Sequence, residues 1–306
     1  MRGLFIVNPQ ATTASQRMTD LVMHAFADAL DLDVVTTTHR GHGIELGQRA
    51  VAEDLDVVIT VGGDGIVNEV VNGMLSQGPN PDTHLATIPG GSANVFARAL
   101  GLPNDIVQAG AHVLEGIKQG RIRTIGLGQA NGRWFTVNAG VGLDAEVIAA
   151  MEHKRRHGRK ASPTRYIATT ASTMFKASRE RAPHITVTRE DDDPLDQVYF
   201  ALVQNAKPWT FLGNWPIHLS PEADFNSGID LFCMRKIKAS TALQNTKQLL
   251  TQRKASALAS AVVWHDQTEF TVTCAKPMAF QIDGEGLGEI SAVTFRAEPT
   301  ALTVIV

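Results

Sequence analysis

Apolar residues in the first part of the chain gather in short runs that begin near Leu4, Val34, Val57 and Leu85, with apolar residues at helical spacing between them. The runs recur every ~25–30 residues, the interval of strand–helix units. Right-handed crossovers between such units give a parallel sheet with helices on both faces. The run from Val57 to Val61 suits a strand covered on both sides, and Val67, Val70, Val71 and Met74 then follow at the i, i+3, i+4, i+7 spacing of one helix face. Leu85-Ala86-Thr87-Ile88 predicts another strand, followed by a short helix from Ala93 to Leu100 that Gly101 and Pro103 stop. Ile106, Val113, Leu114 and Ile117 predict a longer helix.

Beyond this point the pattern shifts to short alternating strands, clearest in Gln197 to Asn205, Thr268 to Cys274, Met278 to Ile282 and Val293 to Arg296. Helical patterns interrupt them over about 143–157, 163–180 and 240–252. The expected organisation is an α/β domain over 1–125 and a mainly β domain over 126–306, with the closing strand Leu302 to Val306 able to join either. No internal repeat or low-complexity linker is present.

Where the period changes after Val61, three glycines fall within four residues, Gly62, Gly63 and Gly65. Glycines permit positive φ and leave no side chain in a ligand's way, and the first N–H groups of the helix point outward and favour an anion. The outline is that of a phosphate site, the plain alternative being a tight turn without a ligand. Phosphate would repel Asp64 unless the carboxylate meets a ribose, an amide donor or a Mg²⁺ shared with a nucleotide. A second glycine turn, Pro89-Gly90-Gly91-Ser92, ends the next strand. Ligands of open α/β sheets bind at that edge, so the two turns can face one nucleotide. Neither common glycine motif fits, because no Gly-Lys-Ser or Gly-Lys-Thr closes the loop and Asn68 occupies the last glycine position of GxGxxG.

A chain of 306 residues can bury a sizeable core and is long enough for two domains. With 28 Lys and Arg against 31 Asp and Glu, it is close to neutral, which argues against a nucleic-acid binder. Cys233 and Cys274 lie far apart without a metal-ligand pattern, as expected of reduced thiols in a cytosolic protein. The run Leu4 to Val7 is too short for a signal sequence, and no window approaches the ~20 apolar residues of a membrane span, so any membrane contact is expected to be peripheral.

Several segments in order resemble the diacylglycerol kinase and sphingosine kinase catalytic-domain family, in its bacterial lipid kinase form, which is related to NAD kinases. They are Asn8-Pro9, GGDGIVNEVVNGM at 62–74, PGGSANVFARALGLP at 89–103, FTVNAGVGLDAEVI at 135–148, and Gln281-Ile282-Asp283-Gly284-Glu285. The resemblance implies an amino-terminal ATP-binding three-layer α/β domain, a carboxy-terminal β-sandwich and a lipid-hydroxyl site in the cleft between them. It also implies ATP and Mg²⁺ as cofactors, a role in phospholipid biosynthesis, and a cytoplasmic protein that meets its lipid at the inner membrane face. Carried over, Asn8, Pro9, Thr37, Gly62, Gly63, Asp64, Gly65, Asn68, Glu69, Gly91, Ser92 and Asn94 fall at nucleotide positions. Asp283 and Glu285 fall in the motif that supplies a catalytic carboxylate, which a lipid alcohol of pKa ~15–16 needs as its proton leaves. The resemblance does not say which of the two takes the proton. Asp144 falls near a lipid-head position and could equally cap a helix. Asp224 and the Ile229 carbonyl are candidate ligands of an accessory Mg²⁺.

The chain departs from the family pattern at Ile66, Val95, Thr12 and Thr124, and Ser227-Gly228 replaces an Asp-Gly. Two rival functions follow, a soluble-substrate kinase of NAD-kinase type and a nucleotide-binding regulatory protein without turnover. The basic cluster His153 to Lys160 is either a solvated helix end or a contact with anionic lipid. Trp209, Phe211, Leu212 and Trp215 are either core or an interfacial loop. The ten histidines show no metal pairing and read as surface or satisfied core. A homodimer is a possible assembly.

Overall fold

The computed structural model describes residues 1–9, 16–142, 184–190, 192–235 and 261–306. Asp144, Thr12, the basic cluster at 153–160 and the helical patterns at 143–157, 163–180 and 240–252 lie outside the described residues. The chain is a mixed α/β protein that divides into two compact units, Met1–Leu127 with Glu298–Val306, and Gly128–Ala297.

The first unit contains β1 (Arg2–Val7), α1 (Gln16–Ala27), β2 (Asp31–Thr36), α2 (His42–Ala52), β3 (Val57–Gly62), α3 (Asp64–Met74), β4 (Asn80–Pro89), α4 (Val95–Ala99), α5 (Ile106–Gln119) and the start of β5 (Ile122–Ala130). Its strands are parallel in the order β2-β1-β3-β4. Every residue of β3 is buried, as its unbroken apolar run requires. On one face, Phe5, Ile59, Val61, Ala86 and Ile88 share a core with Val22 and Phe26 of α1 and Ala109 and Val113 of α5. On the other face α2 and α3 cross closely, and glycines make this possible. A Cβ on Gly73 would lie 2.2 Å from the Ile44 carbonyl oxygen, and one on Gly47 would lie 2.4 Å from that of Val70. Asp105 caps α5 by accepting from the Val107 and Gln108 N–H groups.

The second unit holds β6 (Arg133–Phe135), β7 (Asn138–Val141), β8 (Ile185–Thr188), β9 (Leu195–Val198), β10 (Phe200–Gln204), β11 (Thr210–Leu212), β12 (Trp215–Ile217), β13 (Ile229–Met234), β14 (Ala261–Gln267), β15 (Glu269–Ile282) and most of β16 (Glu285–Ile305). Pairing is antiparallel in the order β14-β13-β10-β7-β15-β16. Phe295 packs edge-on against Phe135 at 6.2 Å and tilted against Phe270 at 5.4 Å, at the centre of the core. Gly128 stays small because a Cβ there would lie 2.0 Å from the Phe135 ring.

Three segments differ from their sequence reading. The expected strand from Gln197 to Asn205 divides after Val198, with β9 pairing β8 and β10 pairing β7 and β13; Gln197 itself takes a positive φ of 62°. The two strands expected between Thr268 and Ile282 are one strand, β15, with a register shift between Thr273 and Met278. Val293 to Arg296 and Leu302 to Val306 likewise belong to one strand. In β16 the earlier part pairs antiparallel with β15, while Leu302 and Val304 pair parallel with β4 in the first unit. No described helix is long and apolar enough to cross a membrane.

Candidate functional site

The parallel strands of the first unit end level. Thr36, Val7, Val61 and Ile88 stand opposite one another across β2, β1, β3 and β4. Because β1 lies between β2 and β3, successive connections leave it in opposite directions, and the crevice at the carboxyl ends of β1 and β3 is the topological switch point where such sheets bind ligands. Asn8 and Gly62 flank it, and a Cβ on Gly62 would come within 3.3 Å of the Asn8 Cβ. The Asn8 N–H donates to the Val61 carbonyl at 3.1 Å, and that of Thr37 to the Val7 carbonyl at 2.9 Å, so both residues are held at this edge. Pro9 beside them is exposed.

The two glycine turns meet backbone to backbone. The Gly90 N–H donates to the Gly62 carbonyl at 2.8 Å. A Cβ on Gly91 would lie 2.6 Å from the Gly63 Cα, and one on Gly63 would lie 3.2 Å from the Gly91 Cα. Gly63 begins α3 with no side-chain cap, and Gly65 is exposed with open space where a Cβ would be. The first N–H groups of α3 therefore face an uncrowded opening at the positive end of the helix, a setting suited to phosphate. Ser92 is exposed on the second turn.

Other residues expected at the nucleotide hold this frame together. Asp64 Oδ1 accepts the Phe96 N–H at 2.9 Å and so ties α4 to the start of α3. Burial pulls the Arg98 guanidinium down, and the Asp64 charge opposes that shift. Asn94, at a positive φ of 50°, accepts from the Gly91 N–H and donates to the Gly91 carbonyl, both at 2.8 Å, and also donates to Asn104 at 2.8 Å. Asn68 is buried and receives the Asn72 amide at its carbonyl. Glu69 reaches away from the turns: its two oxygens accept the Gly41 and Gly43 N–H groups at 3.0 Å each, fixing the start of α2. Ile66 and Val95 are buried, so the departures from the family pattern at these positions add packing.

In the second unit, Ile282 pairs with Glu285 across a two-residue turn, Asp283-Gly284, with φ values of 46° and 80°. Positive φ at both positions is what Asp-Gly supplies in a tight hairpin. The Asp283 carboxylate lies beneath the turn. Its Oδ2 accepts the Thr136 N–H and hydroxyl at 2.7 Å each, and its Oδ1 accepts the Val137 and Asn138 N–H groups at 2.9 Å each. Burial pushes this carboxyl up from its ordinary range, while the hydrogen bonds from Thr136, Asn138 and Val137 pull it down. Glu285 has a different setting, with 27% of its side chain exposed and Oε2 paired to Arg133 at 2.7 Å. The sequence points to both carboxylates but to neither Arg133 nor Thr136 as a partner; within the FTVNAG segment, Thr136-Val137-Asn138 supplies the donors.

Asp224 Oδ1 accepts the Asn226 N–H at 3.0 Å and its amide at 2.6 Å, the Asp224 carbonyl accepts from Ser227, and Ile229 is a buried strand residue opposite Gln267. Among the described residues no three His, Cys, Asp or Glu side chains are grouped to hold a metal. Thr124 faces Thr303, oxygen to oxygen at 3.2 Å. Trp209 packs against the cluster of Phe200, Leu202 and Phe232, whereas Trp215 is 61% exposed.

The chain is similar to known proteins. The diacylglycerol kinase catalytic domain profile matches residues 2–130. A diacylglycerol kinase of Bacillus subtilis (strain 168) is 41% identical over 112 residues, which are 36% of this chain and 35% of that protein. The match thus spans about a third of the relative's length. A solved structure of a diacylglycerol kinase from Bacillus anthracis str. Sterne has the same fold, with a TM-score of 0.73 and 21% identity over 99% of this chain and 96% of that one. An NAD kinase from Archaeoglobus fulgidus, solved in complex with ATP, superposes with a TM-score of 0.51 and 10% identity over 100% of this chain and 94% of that one. Residues 2–130, with their two facing glycine turns and the helix that opens from them, are the part of the chain that is similar to the diacylglycerol kinase catalytic domain.

Proposed function

We propose that this protein is an ATP-dependent lipid kinase that transfers the γ-phosphoryl group to a hydroxyl of diacylglycerol or a related lipid. The observation that carries the proposal is the pair of glycine turns packed backbone on backbone at the carboxyl ends of adjacent parallel strands, with the uncapped start of α3 beside them. Phosphoryl transfer asks a protein mainly for positioning and for donors around developing charge. The N–H groups of α3 hold phosphate, Asn8 and Thr37 line the same edge, and Mg²⁺ enters on the nucleotide's own phosphates, where it needs few protein ligands.

The acceptor hydroxyl must lose a proton. Of the two carboxylates at the Asp283-Gly284-Glu285 turn, Glu285 is partly exposed and we assign it this step. Asp283, whose carboxylate accepts four hydrogen bonds, holds the turn. The lipid is met by peripheral contact with a membrane surface.

The deciding experiment incubates the protein with γ-labelled ATP, Mg²⁺ and a total lipid extract and identifies the labelled product. A labelled phosphatidate-like lipid supports the reading. Label on NAD in place of lipid would move it to a soluble-substrate kinase, and ATP binding without transfer to any lipid would make it a nucleotide-binding protein without turnover.

A further inference from the structure

The segment from Pro208 to Ile217 runs ten residues without an ionisable side chain and carries two of the four tryptophans. Among the described residues its strands β11 and β12 pair with each other and with no other strand; Leu212 stands opposite Trp215 across the two-residue turn Gly213-Asn214, with Gly213 at a positive φ of 62°. An isolated hairpin is marginal by itself, and this one is fastened at its base. The Trp209 backbone N–H donates to the Ile217 carbonyl at 2.9 Å, Trp209 packs against the cluster of Phe200, Leu202 and Phe232, and its carbonyl accepts the Asn138 side-chain amide at 3.3 Å. The tip is open: Gly213, Asn214 and Trp215 are exposed, and Trp215 is more exposed than any other large apolar residue described. Folding thus leaves the indole in water, and burying it falls to a partner.

Charge and position say which partner. No carboxylate occurs between Asp196 and Glu222, and the exposed Lys207 puts a positive charge at the base of the hairpin. An anionic lipid surface attracts that charge, and an indole is favoured at its headgroup level. The same base touches the candidate catalytic turn. Asn138, which holds the Trp209 carbonyl, also donates its N–H to Asp283 at 2.9 Å and accepts the Asp283 N–H at its own carbonyl at 2.8 Å. One residue therefore joins the hairpin to the Asp283-Gly284-Glu285 turn, and a bilayer that takes the hairpin brings its lipids to the side of the unit that carries the carboxylates.

We propose that the β11–β12 hairpin is the membrane-docking element of this protein, with Trp215 entering the headgroup layer of an anionic bilayer and Lys207 meeting its phosphates. The inference rests on the lipid-kinase reading above and names the surface through which such an enzyme meets its lipid. An uncharged hairpin, fixed at one end by Trp209 and carrying a second tryptophan into solvent at the other, is accounted for by a solvent boundary at its tip.

The test uses the full chain and mixed phosphatidylcholine–phosphatidylglycerol vesicles whose lipids are brominated near the top of their acyl chains, where bromine quenches an indole that reaches it. The parent should sediment with the vesicles and lose tryptophan fluorescence. Trp215→Phe should still sediment but no longer be quenched, and Trp215→Ser should bind about 10-fold more weakly, the scale expected when the exposed part of one indole stays in water. Lys207→Gln should weaken binding about fivefold at low salt and less at high salt. Because Trp215 is exposed, its substitutions should leave the urea midpoint in place. Quenching that persists in Trp215→Phe, a Trp215→Ser affinity within about twofold of the parent's, or a parent that binds no vesicle would overturn the proposal. So would a dimer of the parent that Trp215→Ser dissolves, which would give the face to a second copy. Phosphorylation of detergent-solubilised lipid by a parent that binds no vesicle would remove the docking surface and keep the kinase. Vesicle binding with the quenching pattern above, but no phosphorylation in detergent, would keep the docking surface and remove the kinase.

Discussion

The Asp283 carboxylate and the four donors that converge on it from Thr136, Val137 and Asn138 form a closed set, and the set fixes what a substitution there would do. In Asp283→Asn an amide –NH₂ would face N–H groups that need an acceptor. The expected cost is about 2–4 kcal/mol of stability, read as a lower urea midpoint. Glu285→Gln should leave that midpoint in place and lower lipid turnover about 10²–10⁴-fold, the usual worth of a positioned base, with ATP affinity little changed. A stable Asp283→Asn protein without turnover would reverse the two roles. The Asp-Gly-Glu turn was legible in the sequence because Asp-Gly is a strong hairpin signal. Its meaning was not, since Thr136 lies 147 residues from Asp283 and no local pattern links them.

At the scale of elements, the crossing of α2 and α3 sets the position of α3. The periodicity of Val67, Val70, Val71 and Met74 makes α3 readable in the sequence, but the packing role of Gly47 and Gly73 is not, because it depends on a partner that the local sequence does not contain. Gly73→Ala tests the crossing. Alanine improves helix propensity by about 1 kcal/mol, yet its Cβ would lie 2.2 Å from the Ile44 carbonyl oxygen, which is backbone and cannot rotate away. The expected outcome is a net loss of about 1–3 kcal/mol in urea unfolding, against the sign that propensity alone gives. ATP affinity should fall with it, because Glu69 couples the displaced α3 to the loop before α2. The β elements were harder to delimit. The break at Tyr199 and the joining of β15 across its register shift arise from which strands lie alongside, and alternation of apolar residues is the same on either side of both points.

For the whole molecule, the repeated strand–helix spacing foretold a parallel sheet but not its order, and the order is what creates a switch point between β1 and β3. A prediction at this scale concerns Cys233, buried in the core of the second unit, where burial pushes the thiol up to about 12. In the unfolded chain that thiol ionises near ~8.5. The folded state therefore holds the proton more tightly, and stability present at neutral pH is lost as pH climbs between the two values, by up to ~1.4 kcal/mol per pH unit. Comparing urea midpoints of parent and Cys233→Ala from pH 8 upward isolates this slope, and a parallel pair of curves would refute it. The thiol should also resist alkylation at pH 8 until the chain is unfolded. The return of Glu298–Val306 to the first unit carries a consequence for synthesis. As the chain leaves a ribosome, β1 to β4 emerge early, yet the strand that covers the free edge of β4 emerges only after all of Gly128–Ala297. Until then that edge presents open backbone donors and acceptors, so the nascent first unit passes a long interval exposed to strand-adding partners.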